Sequence, residues 1–154
     1  MNPAPVIVLQ FGPQALRVSV PATGAVHSLP LGTQDWGARA FRHNPPTPGE
    51  LEEAIMVVED LVMPLLKQLP PQGALQTPDR AVHDLARLLG QLGPLPLSLS
   101  IDQVERLFEQ LSAVSLGRPV ASGGVPTDAA FAAVALVLRE FMHHLGFTHI
   151  TVTP

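Results

Sequence analysis

From Val6 to Val20 the sequence VIVLQFGPQALRVSV changes its apolar rhythm at a turn. Val6 to Gln10 is a short β-branched run, and beyond FGPQ the residues Leu16, Val18 and Val20 alternate with Arg17 and Ser19. Alternation with period two is the mark of a strand with one buried face. Ala25 to Leu31 reads as a third strand, and Pro30, lacking an N–H for a ladder, sets its end near a sheet edge or a bulge. The chain therefore opens as a β-meander.

The rhythm then becomes helical. In PPTPGELEEAIMVVEDLVMPLLKQL the pattern predicts Thr47 as N-cap, Pro48 at the first helical position and Glu50, Glu52 and Glu53 against the positive helix end. Leu51, Ile55, Val58, Leu61 and Val62 recur at helical spacing, and Pro64 kinks or ends the helix near Met63. Ala74 to Gln76 is a brief strand, followed by Thr77 as N-cap of a helix that Gly90 stops. Gln91 to Leu99 reads as a proline-stiffened connection, after which Ser100 caps a helix carrying Val104, Leu107, Phe108 and Leu111 on one side. From a Thr127 N-cap an alanine-rich helix runs to Gly146, apolar around nearly its whole circumference and so buried against a sheet. Phe147 to Val152 closes the chain as a strand. The predicted order is β-β-β-α-β-α-α-α-β.

Composition narrows the function. The chain has 154 residues, 46% hydrophobic and 14% charged, enough for one domain with a sizeable core. A formal charge of −4 and no run of lysine or arginine speak against nucleic acid as a partner. Cysteine is absent, which removes disulfides, thiolate metal sites and cysteine nucleophiles. No apolar run reaches the roughly 18 residues of a membrane span, and the N-terminus lacks a basic region, so a cytoplasmic protein without a membrane partner is expected. The 17 prolines cluster in PPTP, LPPQG and GPLPL, where they mark boundaries within the domain.

Candidate chemistry is sparse. His143 and His144 near a helix end suit the negative dipole better than a metal, and with His149 they do not match the H-E-x-x-H spacing. Glu50, Glu52 and Glu53 explain themselves as first-turn charges, while Glu59 and Asp60 do not face one another. Serines 28, 98, 100, 112, 115 and 122 lie in no G-x-S-x-G elbow. His43, beside Arg42 and Asn44, belongs to a solvated loop with a small anion site as the functional alternative. Arg118, ahead of a glycine pair and a helix start, either holds its loop or contacts an anion. Trp36 and Phe41 are expected to pack the turn under the first long helix.

Two longer patterns, SLPLGTQDWGARAFRHNPPTPGELEEAI and SIDQVERLFEQLSAVSLGRP followed by DAAFAAVALVLREFMHHLGFTHITV, resemble segments of the exopolyphosphatase and guanosine pentaphosphate phosphohydrolase family. The resemblance covers most of the chain and concerns the second of two actin-like domains. It implies an α/β fold, a single actin-like (ribonuclease-H-like) domain over residues 1–154, with the meander, helices and further short strands in one mixed sheet.

The family keeps a phosphate-binding turn of the form Asp-Ile-Gly-Gly-Gly-Ser-Thr-Glu where this chain has Gln10-Phe11-Gly12-Pro13-Gln14-Ala15-Leu16-Arg17. Gln10 stands where the resemblance implies an aspartate near a metal or its water, and a neutral amide serves a hard cation less well. Pro13 has no N–H for a phosphate, and Gln14 adds a side chain where backbone should approach closely. Ala15 replaces the hydroxyl and Arg17 the acid. The family's later glycine-threonine turn corresponds to GALQTPDR, where Gly73 and Thr77 match it. The catalytic glutamate of the family comes from its N-terminal domain, for which this chain has no room.

The expectation is a non-catalytic, degenerate domain acting as a protein-binding or assembly module, a homo-oligomer or the partner of another protein, needing no cofactor. The alternative is a phosphohydrolase half-site or a phosphate- or nucleotide-sensing module completed by another chain. That reading takes a phosphate-containing ligand, with magnesium, at the turn residues Gln10, Gly12, Gln14 and Arg17 and with anion contacts from Arg42 and Arg118.

Overall fold

The computed structural model describes residues 3–119 and 124–154. Strands β1 (Val6–Phe11), β2 (Leu16–Val20) and β3 (Ala25–Leu29) form the antiparallel meander, with Leu9 opposite Val18 and Val18 opposite His27. Strand β4 (Ala74–Thr77) lies parallel to β1, and β6 (His149–Val152) parallel to β4. Strand β5 (Leu97–Ser100) closes the other edge antiparallel to β6. The result is one mixed sheet of order β3-β2-β1-β4-β6-β5.

Five helices accompany it: α1 (Asp35–Ala40), α2 (Pro48–Val62), α3 (Arg80–Leu88), α4 (Ile101–Ser115) and α5 (Ala129–Leu145). The capping box at Thr47 forms, its hydroxyl taking the Glu50 N–H while the Glu50 carboxylate takes the Thr47 N–H. Ser100 and Gln103 repeat it on α4. Pro64 falls in a 3₁₀ turn, Met63–Lys67, that takes over where α2 ends. Gly146 ends α5 at φ +77°, a left-handed conformation that glycine adopts without a Cβ penalty.

Helix α5 is the axis of the core. Nine of its consecutive and near-consecutive apolar residues, from Ala132 to Met142, are buried, and α1, α2, α3 and α4 all touch it. Ile7, Leu9, Leu16, Val18, Leu75 and Val152 meet this helical layer from one face of the sheet. The opposite face carries the row Val26, Ser19, Val8, Gln76, Thr151 and Ser98 across all six strands, none of them buried. Small polar and β-branched residues suit a sheet surface facing water.

Several boundaries differ from the sequence pattern. Thr77 does not cap α3: it ends β4, fully buried, and its hydroxyl takes the Asp79 N–H, so Asp79 occupies the cap position. Asp128, not Thr127, caps α5, accepting the Phe131 N–H at 3.1 Å. The proline-stiffened connection contains β5, and the third and last strands are shorter, ending at Leu29 and starting at His149. Helix α1 was not in the pattern; Trp36 and Phe41, both buried, meet edge to face within it and at its end, 5.8 Å apart.

Candidate functional site

The turn between β1 and β2 is closed by its own backbone. The Gly12 N–H donates to the Ala15 carbonyl at 3.0 Å, and Pro13 has no N–H to offer. On its far side the segment leading into α1 docks: Thr33 N–H donates to the Gly12 carbonyl, and Gln34 and Asp35 N–H groups both donate to that of Pro13, at 3.0–3.1 Å. Gly32 makes this approach possible, because a Cβ there would stand 2.3 Å from the Pro13 carbonyl oxygen and 2.5 Å from the Gln14 Cα.

A carboxylate seals the crevice between β1 and β4. Past Val8 and Gln76 the two strands diverge, and the Asp79 carboxylate bridges the gap by accepting the Phe11 N–H. The carboxyl ends of parallel strands are where ligands enter open α/β sheets. Here the Asp79 carboxylate crosses that end. Asp79 was legible only as an acidic residue at a helix start; no local signal couples it to Phe11, 68 residues away.

Gln10 and Arg17 are cross-strand partners, exposed on the helix-free face of the sheet. Gln14 is exposed at the tip of the turn, and Gly12 is half-buried. Arg42 lies elsewhere, in a cavity of about 250 Å³ shared with Trp36, Arg39, Glu50 and Glu53 and with none of the turn residues. Arg118 follows α4, exposed, its N–H donating to the Ala113 carbonyl. No described contact joins Arg17, Arg42 and Arg118. Part of the loop after Arg118, including Ser122 and Gly123, lies outside the described residues.

The donors around the turn are few. Gln10 supplies a neutral amide beside the cationic Arg17, and one oxygen of the Asp79 carboxylate accepts the Phe11 N–H. Among the described residues no three His, Asp or Glu side chains converge as metal ligands.

Charge is buried instead within the helical layer. Glu140, 2% exposed, meets Arg139 at 2.8 Å and His144 at 2.9 Å, and the Arg139 guanidinium stacks over Phe108 of α4. His143 lies 3.9 Å from Glu105, linking α5 to α4. Both histidines thus have carboxylate neighbours at the helix end.

Beside the sealed turn runs an apolar groove of about 610 Å³ between α3 and α5. Phe11, Leu85, Phe131 and Val134 line it, and the short side chains of Ala81 and Ala130 leave its trough open. Leu88 and Leu92 flank it, 43% and 76% exposed, with Thr33, Asp84 and Arg87 as its polar members.

No protein-family model matches the chain, and no curated protein matches its sequence. Its fold is nevertheless shared with solved structures. A Ppx/GppA family protein of Aquifex aeolicus superposes with a TM-score of 0.73 at 16% identity, over 98% of this chain and 53% of that one. An exopolyphosphatase from Cytophaga hutchinsonii gives 0.73 at 17% identity, over 99% and 54%. The chain thus spans about half the length of these structures, and what it shares with that half is the α/β actin-like fold.

Proposed function

We propose that this domain, built on the fold of about half an exopolyphosphatase, is a non-catalytic module that binds or assembles with protein. The closed β1–β2 turn carries this reading. Phosphate turns work by aiming free backbone N–H groups at an anion. In this chain the Gly12 N–H serves Ala15, the Phe11 N–H serves Asp79, and position 13 is proline. The neighbouring groove is lined mainly by apolar side chains, which suit a protein contact better than a polyanion.

No helix among the described residues is long and apolar enough to cross a membrane. The surfaces open to a partner include the groove and the polar face of the sheet.

Thermal unfolding with polyphosphate, guanosine and adenosine nucleotides, each with and without magnesium, tests the reading. Ligand at about 100 times its dissociation constant adds roughly 2.7 kcal/mol of stability. The expected result is no rise in midpoint and no release of phosphate. A magnesium-dependent rise with phosphate release would replace this reading by the phosphohydrolase half-site, and a rise without release by the sensor.

A further inference from the structure

We propose that the groove between α3 and α5 is a homodimer surface, in which α3 of one copy packs antiparallel on α3 of a second. This rests on the reading of the domain as an assembly module and names its partner.

The pattern on α3 is self-complementary. Asp84 and Arg87, one helical turn apart, both line the groove, and neither forms an ion pair among the described residues. Across a two-fold axis residue i meets j of the other copy, and j meets i. An axis through the midpoint of Asp84 and Arg87 therefore sets each carboxylate against the other copy's guanidinium, twice over. A parallel pairing would set like charges together.

The apolar residues follow the same axis. Reversal about that midpoint carries Leu88 of each copy toward the N-terminal half of the other's α3, where Ala81 lines the groove, while Leu92 lines the groove past the Gly90 turn, outside the helical register. Each copy thus supplies both a ridge and a trough. Leu92, 76% exposed just beyond the helix, has apolar surface to withdraw from water. Alanine at 81 and 130 leaves the volume it needs. A mixed rim of one acid and one base also accounts for why an acidic protein can meet its own copy at this surface: the local pattern attracts although the net charge of −4 repels.

Sedimentation velocity on the full chain, over a dilution series reaching millimolar protein, tests the proposal. Wild type should show a reversible monomer–dimer equilibrium. Leu92→Glu should raise the dissociation constant by roughly tenfold or more. Asp84→Arg and Arg87→Asp should each weaken association, and the double variant D84R/R87D should recover most of the loss, because it restores opposite charges across the axis. All three positions are exposed, and circular dichroism checks that each variant folds. A strict monomer at every concentration overturns the proposal. So does a dimer that L92E and D84R leave unweakened, or a double variant as weak as the worse single one. The ligand titration with polyphosphate is independent: phosphate release would overturn the module reading whatever the dimer does, and a monomer that ignores polyphosphate would leave that reading with a different partner.

Discussion

The carboxylate of Asp79, at the start of α3, accepts the backbone N–H of Phe11, at the end of β1. One side chain thereby satisfies a strand end that the neighbouring strand no longer reaches. A hydrogen bond to a charged acceptor contributes about 1.5–3 kcal/mol. Asp79→Ala should lower unfolding stability by an amount in that range, and Asp79→Asn by less, since the amide oxygen still accepts. Urea unfolding of the three proteins checks this; equal stability of wild type and D79A would show that water replaces the carboxylate without loss.

Gly32 and Gly49 should respond in opposite directions to the same substitution. Gly32→Ala drives a Cβ into the backbone of Pro13 and Gln14, which cannot yield as a side-chain tip can, at a cost of about 1–3 kcal/mol or more. Gly49 sits in the first turn of α2 with open space around it, so Gly49→Ala should stabilise by about 0.4–1 kcal/mol. Thermal midpoints that move down for the first and up for the second are the expected outcome. A neutral G32A would mean that the turn and the α1 leader can separate at no cost.

Glu140 is the one charged residue in the described core, and both of its oxygens are taken. Removing one member of a buried ion pair leaves the rest uncompensated, typically by 3–5 kcal/mol. Because Arg139 and His144 keep some access to water, Glu140→Ala should fall toward the lower end, about 3 kcal/mol, with Glu140→Gln milder. Urea denaturation measures both. A loss below about 1 kcal/mol for E140A would show that Arg139 turns outward and rehydrates.

Glu50 sets an acid limit. Burial alone would raise its pKa, but the Thr47 N–H, the His43 imidazole and the Arg42 N–H together override burial and hold it at about 2, against an ordinary 4.5. A carboxylate with a depressed folded pKa adds stability that is fully present above the unfolded value and is lost as pH falls through the folded one. Discounted for solvent screening at this open site, the contribution is on the order of 1–2 kcal/mol at neutral pH and should fade between about pH 4.5 and pH 2. Comparing Glu50→Gln with wild type across that window checks it: the gap in stability should close as the pH falls, and a constant gap would contradict the assignment.

Much of this fold was legible because its signals are local. Thr47 with Glu50 and Ser100 with Gln103 are capping boxes within four residues, and Gly146 needs only its own φ to stop a helix. The features that escaped are held from a distance. Helix α1 is six residues long with Gly37 in its middle, and it persists because Gln34 and Asp35 bond to Pro13 and because Gly37 lets α5 come close at Ala133. Strand β5 is four residues, paired with a strand about fifty positions later. Thr77 and Thr127 looked like caps, but each precedes the residue at the cap position, and Thr77 is buried as the end of a strand.

At the candidate site the division is the same. That this turn carries Gln10, Pro13, Gln14 and Arg17 around a single glycine, Gly12, is written in the sequence, because each residue brings its own donors and acceptors. What became of the space is not written there. Asp79 reaching Phe11, Gly32 seating the α1 leader on Pro13, and Ala81 with Ala130 lining an apolar trough all join residues from different elements of the chain. The sequence by itself determined most of the elements and which donor groups the turn residues carry, since periodicity, caps and donor groups are properties of neighbouring residues. Only the tertiary structure decided that Asp79 bridges to Phe11 and that an apolar groove lies beside this contact, since which groups meet depends on how the sheet and helices pack.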